Sequence, residues 1–363
     1  MSICFLKGFY ILNRSALFLL ICWILLCSCQ KPDPVVSISG PTMGTRYTVK
    51  YIGPELNDTP EQVQKQIDHL LIDINREMST YIPDSESSQL NENQSADWIK
   101  LSPRLFTVLA AAKLISDLSN GAFDVTIGPL VNLWGFGPEG ERDVPSKTDI
   151  DRTKQLVGFD HIQIDIDGQS IKKKHPGIYI DLSAIAKGYG VDLIGQFLSQ
   201  LEIGNYMVDI GGEVKTKGLK NGEPWQIGIE KPDPNARTIH KILEISDMNV
   251  ATSGGYRNFF ESEGKNFSHT IDPQTGYPVE HRLVSVTVFD QESCMEADAL
   301  ATTLMVLGPE SGMEFVQKND VAAYFIYGVQ QNSGTKLREA VSPKLKLFYP
   351  DIFVGIGSEI VYN

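Results

Sequence analysis

Leu283-Val284-Ser285-Val286-Thr287-Val288-Phe289 is followed, three residues on, by Ser293-Cys294-Met295-Glu296-Ala297-Asp298-Ala299-Leu300-Ala301-Thr302-Thr303. The first run is apolar and β-branched and reads as a strand. The second opens with Ser293 and Glu296 at capping-box spacing, which predicts a helix. Residues 321–327 are continuously apolar and predict a buried strand. Upstream, residues 205–210, 225–230 and 239–245 read as strands separated only by turns. Strands clustered in this way, beside long helices and without βαβ alternation, predict the α+β class rather than a doubly wound parallel sheet.

Further toward the N-terminus, residues 46–52 read as a strand, and Thr59-Pro60-Glu61-Gln62 as a helix start: a cap, Pro at the first helical position and Gln three past the cap. Val63, Ile67, Leu70, Leu71 and Ile74 then recur at helical spacing and predict one buried face. A second helix begins at Ser102-Pro103 and stops near Asn120-Gly121. Residues 161–166 and 177–182 predict strands, and 183–201 a helix. No fixed-period repeat is visible.

The 363 residues are 42% hydrophobic and 21% charged, which excludes global disorder and is enough for a full core. A net charge of −13 with no basic stripe excludes a nucleic acid as partner. Lys7 and Arg14 are the only charges before Cys29, and they precede an apolar run over residues 16–26. That run is shorter than the roughly 20 residues a spanning helix needs. Basic start, apolar middle and small-residue end make residues 1–28 a secretory signal, the alternative being an uncleaved anchor. Leu26-Cys27-Ser28-Cys29 resembles a bacterial lipobox, which would place lipid on Cys29 and a tether over 29–36. Four of the five cysteines lie in this segment, so the mature domain keeps only Cys294 and has no pair for a disulfide. The expected location is the extracytoplasmic face of a bacterial membrane, inner or outer undecided.

Several segments carry candidate chemistry. Asp298 and Thr302 are four apart and share a helix face; a carboxylate with a hydroxyl suits Mg²⁺ better than zinc. An ordinary helix surface is the alternative. Residues 181–190 run from Asp181, at a strand end, to a helix with Lys187 in its first turns, a plausible phosphate site or simply a capped helix. Gly121-Ala122-Phe123-Asp124 joins flexible backbone to an aromatic face and an acceptor, or is a helix-ending turn. Thr252-Ser253-Gly254-Gly255-Tyr256-Arg257 offers hydroxyls and a guanidinium for phosphate, or is a surface turn. His269 precedes the tight turn Asp272-Pro273 and could move a proton or be structural.

Taken together, these segments resemble the ApbE family, the FAD:protein FMN transferases. The matching stretches, in family order, are Thr42-Met43-Gly44-Thr45 with Tyr47, Met78-Ser79-Thr80-Tyr81, Gly121-Ala122-Phe123-Asp124, Asn132-Leu133-Trp134-Gly135-Phe136-Gly137 and Asp181-Leu182-Ser183-Ala184-Ile185-Ala186-Lys187-Gly188. Gly211-Gly212-Glu213, Thr252-Ser253-Gly254, His269-Thr270-Ile271-Asp272-Pro273 with Thr275-Gly276, and Ala297-Asp298-Ala299-Leu300-Ala301-Thr302 complete the series. Ser87-Ser88-Gln89-Leu90 and Gly255 depart from the family pattern at positions that bear on the rim.

The resemblance implies an ApbE-like fold, mixed sheets flanked by helices in two closely packed lobes, over residues 37–345, with 346–363 a C-terminal tail. It implies a flavin site made by Met43, Tyr81, Ala122, Phe123, Asp124, Asp181, Lys187, Ser253 and Ile271. It further implies Mg²⁺ held by Asp298, Thr302 and the Ala184 carbonyl, with His269 and Asp298 catalytic. FAD would be the substrate: FMN passes to an acceptor threonine and AMP leaves. Acceptors of the family are subunits of NADH:quinone reductases and Rnf-type complexes with a Ser/Thr-Gly-Ala-Thr-like motif, which this chain lacks. The rival readings are a lipid-anchored FAD-binding protein and an FAD pyrophosphatase.

Overall fold

Met43 and Gly44, at φ 45° and 70°, fold β1 (Val36–Thr42) back onto β2 (Thr45–Ile52) in the tight turn that two left-handed residues permit. The computed structural model describes residues 33–53, 58–138, 142–233, 236, 238–256, 258–331 and 334–361. The leader, Cys29 and Arg257 lie outside the described residues. From Val35 onward the chain forms one compact unit.

After the hairpin come helices α1 (Pro60–Met78) and α2 (Glu86–Glu92), strand β3 (Ile99–Lys100), and helices α3 (Pro103–Leu118), α4 (Gly128–Leu133) and α5 (Lys147–Lys154). Strands β4 (Ile162–Asp165) and β5 (Ser170–Lys173) precede α6 (Ala186–Gln200). Seven strands follow: β6 (Asn205–Ile210), β7 (Glu213–Lys217), β8 (Trp225–Glu230), β9 (Ile239–Ile245), β10 (Met248–Gly254), β11 (Phe259–Ser262) and β12 (Lys265–Ser268). The chain closes with β13 (Leu283–Asp290), α7 (Cys294–Lys318), β14 (Ala322–Gln331), β15 (Gly334–Val341) and α8 (Pro343–Phe348).

Eight strands make one sheet in the order β1-β2-β6-β7-β10-β13-β14-β15. The α+β class holds, and each of its ladders is antiparallel, narrower than the mixed sheets expected. Alternation along β14 separates the two faces. Ala323, Phe325, Tyr327 and Val329 join a core with α1, α3, α6 and α7, while Ala322, Tyr324 and Ile326 pack with β8, β9, Leu345 and Phe353 on the other side. A third apolar group, Leu130, Trp134, Ile150 and Ile271, lies with the rings of Phe260 and Phe267.

The helix starts are made as the sequence indicates, with one exchange. Thr59 and Gln62 form a reciprocal capping box. Ser293 accepts from the Glu296 amide, but its own amide goes to Asp290 Oδ1 at 2.8 Å in place of the Glu296 side chain. Helix α7 is broken at Gly308, φ 77°, before Pro309. Pro309 cannot donate to the Met305 carbonyl. His281 Nε2 supplies that hydrogen bond at 2.6 Å, while His281 Nδ1 accepts from Leu283 N.

The strand expected over 177–182 is not one. Ile178, Ile180 and Leu182 alternate inward as predicted, yet among the described residues the segment joins no ladder. The Asn91 side chain takes the place of a partner strand, accepting from Ile180 N at 2.7 Å and donating to Ile180 O at 2.9 Å. Residues 183–185 then turn, so α6 starts at Ala186 rather than at 183.

This late start lets α6 run against the head of α7. A Cβ at Gly188 would stand 2.3 Å from the Cys294 carbonyl oxygen and 2.8 Å from Met295 Cα. Gly188→Ala must therefore separate the two helices. The substitution is expected to cost about 1–3 kcal/mol, the usual cost of overpacking, measured by urea unfolding.

Candidate active site

The close approach at Gly188 delivers its backbone amide to Asp298 Oδ2 at 3.0 Å. In an uninterrupted helix that amide would bond the carbonyl four residues back, here Ala184. The turn at 183–185 leaves the Ala184 carbonyl without this partner. Asp298 is 3% exposed and sits on the second turn of α7, one turn from Thr302. Thr302 Oγ1 lies 3.4 Å from Ser253 Oγ, at the end of β10. Two helices and one strand end thus converge on a small set of oxygens.

Lys187 sits among them. Its Nζ is 2.7 Å from Glu213 Oε1 and 3.5 Å from Asp298 Oδ1. Burial works against this ammonium, but the Asp298 and Glu213 charges overcome it and hold it above the ordinary lysine value. Burial pushes the Glu213 carboxyl up; Lys187 opposes this and the Asp298 charge adds to it. Two carboxylates share one ammonium in a nearly dry place, a condition that a bound cation would relieve.

These residues line a cavity of about 370 Å³. Its walls also hold Tyr81, Ala122, Phe123, Asp124, Asp181, Ala184, Ser253, His269 and Ile271. Tyr81 is 62% exposed at the rim, its hydroxyl donating to the Phe136 carbonyl at 3.3 Å. Met43 does not line the cavity: it packs against the main core, its methyl over Gly190 of α6. Ser87, Ser88 and Leu90, where the family pattern is broken, are buried in α2 away from the cavity, Ser88 donating to Ile82 O at 2.8 Å.

Asp124 and Asp181, the two aspartates expected at the flavin site, are held by nearby amide and hydroxyl donors. Asp124 Oδ1 accepts from Thr126 N and Thr126 Oγ1 at 2.8 and 2.6 Å, and Oδ2 accepts from Phe159 N at 2.9 Å. Burial raises its carboxyl despite these donors. Its position fixes the 124–127 wall against the 158–159 loop. Asp181 Oδ1 accepts from Ser183 N and Ser183 Oγ, which shapes the turn that frees the Ala184 carbonyl.

His269 is half-buried across the cavity. Its Nδ1 lies 3.0 Å from the Asn258 carbonyl oxygen. A carbonyl can only accept, so Nδ1 carries the proton and Nε2 is left as the basic nitrogen. Burial lowers the imidazole below its ordinary value; the Asn258 bond opposes this, and Lys187 and Arg142 reinforce it. Arg142 also donates to Asn258 Oδ1 at 3.0 Å and lies over the Phe136 ring.

Among the described residues no three His, Cys, Asp or Glu side chains gather as a metal cluster. The oxygens that could hold a cation are instead one carboxylate, one hydroxyl and one carbonyl, from Asp298, Thr302 and Ala184. This set is hard and incomplete, and it fits Mg²⁺, which shares its shell with substrate phosphates. An ammonium and hard oxygens around one cavity are the chemistry of an enzyme site that takes an anionic substrate.

The chain belongs to the ApbE family, whose model matches residues 43–325. It is 46% identical over 338 residues to the FAD:protein FMN transferase of Vibrio cholerae, covering 92% of this chain and 99% of that one. Identity to the FAD:protein FMN transferase of Haemophilus influenzae is 43%, over 87% of this chain and 93% of the other. The solved flavin transferase ApbE from Vibrio cholerae superposes with a TM-score of 0.79 at 44% identity, covering 87% of this chain and 99% of that one. The apo flavinyl transferase ApbE of Pseudomonas stutzeri gives 0.79 at 38% identity, over 88% and 98%. The family resemblance carried by the nine segments is thereby shown.

Glu213 and Asn258 line the cavity at positions that sequence reasoning left without a role. Glu213 was visible only as the end of Gly211-Gly212-Glu213, and nothing in that run signals burial beside a lysine. Asn258 lies in no motif. Lys187→Met should leave Glu213 and Asp298 buried without their cation and lower stability by about 3–5 kcal/mol, read from the denaturant midpoint.

Proposed function

We propose that this chain transfers the FMN portion of FAD to a threonine hydroxyl of an acceptor protein and releases AMP, with Mg²⁺ bound by Asp298, Thr302 and the Ala184 carbonyl. The chain is an FAD:protein FMN transferase. The observation that carries the finer reading is the convergence on one cavity of the Asp298–Thr302 oxygen pair, the Lys187 ammonium and a histidine with a basic Nε2.

When bound, the cation would supply Lewis-acid neutralisation of charge on the diphosphate as its bridge breaks. Lys187 contributes a fixed positive charge next to that position, set in place before the reaction. At the start of α6 the amides of Ala186, Gly188 and Tyr189 are already bonded to Leu182 O, Asp298 Oδ2 and Ile185 O, so the positive partner that this end offers an anion is the Lys187 side chain. Tyr81 and Phe136 give aromatic surface at the rim, suited to a flat ring system. His269 Nε2 takes the proton of the attacking threonine as the new oxygen–phosphorus bond forms. The bond from that phosphorus to the bridging oxygen breaks, and AMP leaves with the oxygen.

We extend the proposal to setting. The lipobox reading of Cys29 supports a lipid-anchored enzyme outside the cytoplasmic membrane, beside acceptor subunits of NADH:quinone reductase or Rnf-type complexes. No helix of the described residues is long and apolar enough to cross a membrane.

Asp298→Ala is expected to abolish transfer of FMN mass to a threonine-bearing acceptor incubated with FAD and Mg²⁺, while circular dichroism stays unchanged. Near-normal transfer would refute the metal assignment, and FAD cleavage without acceptor labelling in the unmodified enzyme would favour the pyrophosphatase.

The histidine gives a separate test. A base must be neutral, and burial lowers the His269 value from 6.5, so transfer should persist below that pH and fall only in more acid solution. His269→Ala should remove this acid limb and reduce the rate by about 10²–10⁴-fold, the span of general-base contributions. An unchanged pH profile in the variant would take His269 out of the proton transfer.

A further inference from the structure

Glu213 touches no reacting atom in the reaction above, yet it is 2% exposed and on the cavity wall. Its position is fixed by backbone. Gly211 and Gly212, at φ 66° and 109°, turn the chain between β6 and β7, and Glu213 is the first residue of β7. Its Oε1 meets Lys187 Nζ at 2.7 Å. Its Oε2 is buried with no hydrogen-bond partner among the described residues, so none of these draws the carboxylate away from the lysine.

Lys187 has two carboxylates within reach and is not shared equally. It is 0.8 Å closer to Glu213 than to Asp298, at 2.7 against 3.5 Å. Asp298 Oδ2 is taken by the Gly188 amide, so Oδ1 is the oxygen left for a further ligand. An ammonium without Glu213 would close on that oxygen, because the Asp298 carboxylate would be its nearest opposite charge in a low-dielectric cavity.

We propose that Glu213 is a positioning residue that holds the Lys187 ammonium off Asp298 Oδ1 and so keeps that oxygen open to the divalent cation. This rests on the cation site of the proposed function. Glu213 then sets how strongly the site takes a cation, acting through the lysine rather than by ligation.

The test is a titration of Mn²⁺ into the full chain with excess FAD, the free ion followed by its electron paramagnetic resonance signal. Glu213→Gln keeps the shape and should weaken Mn²⁺ binding about 10-fold or more, as loss of partners around metal ligands commonly does. In a Lys187→Met background the same change should have no further effect, since no ammonium remains to be restrained. Glu213→Asp, which retracts the carboxylate, should fall between and serves if the glutamine variant is poorly folded. Unweakened binding in Glu213→Gln, or an equal loss in the Lys187→Met background, would overturn the proposal. Asp298→Ala separates the two layers: wild-type Mn²⁺ binding there sinks the cation site itself. Loss there with none in Glu213→Gln sinks only the role of Glu213.

Discussion

Helices α6 and α7 meet where Gly188 has no side chain, and the active-site geometry hangs from that contact. Because the helix heads touch, a backbone amide of one can bond the Asp298 carboxylate of the other at 3.0 Å. The same diversion leaves the Ala184 carbonyl free of its helical partner and brings Lys187 between two carboxylates. Any side chain at this position would place a carbon inside the Cys294 carbonyl contact. Oxygens from three elements are therefore arranged by a steric vacancy rather than by a continuous motif.

The sheet supplies the rigidity behind this arrangement. Its helical face carries Ala251, Val286 and Val288 beneath Ala297, Ala301 and Leu304 of α7, all buried. Small residues on the helix allow close seating, so the side of α7 that bears Asp298 and Thr302 is held at the end of β10. The opposite wall is held by polar bonds instead. Asp124 ties the 124–127 segment to 158–159, Asn91 replaces a strand partner for Ile180, and Trp134 Nε1 reaches the Gly276 carbonyl at 3.0 Å. Loops that cannot satisfy one another through ladders are satisfied by buried side chains.

Much of this was legible in the chain. Strands over 205–210, 225–230 and 239–245, the Thr59 cap and the end of α3 near Gly121 all emerge where local signals place them. The expected strand over 177–182 failed for a specific reason: its period-2 burial is real, but burial periodicity says nothing about where backbone hydrogen bonds go. The capping box at Ser293 failed by half because Asp290, three residues earlier, accepts the Ser293 amide instead. Met43 carried a family match, and the structure places it half-buried against the main core with its methyl near Gly190.

The sequence by itself determined the α+β class, the family, and the residue types around the cavity, because periodicity, caps and motif order are local properties. Only the tertiary structure decided which of those residues meet. Asp298 and Lys187 are 111 positions apart, and their neighbourhood depends on helix heads docking at a glycine. The pairing of Lys187 with Glu213, the proton on His269 Nδ1 and the open Ala184 carbonyl are likewise consequences of packing. Electrostatic partnership in a dry interior is set by distances across elements, and a linear string of residues does not contain them.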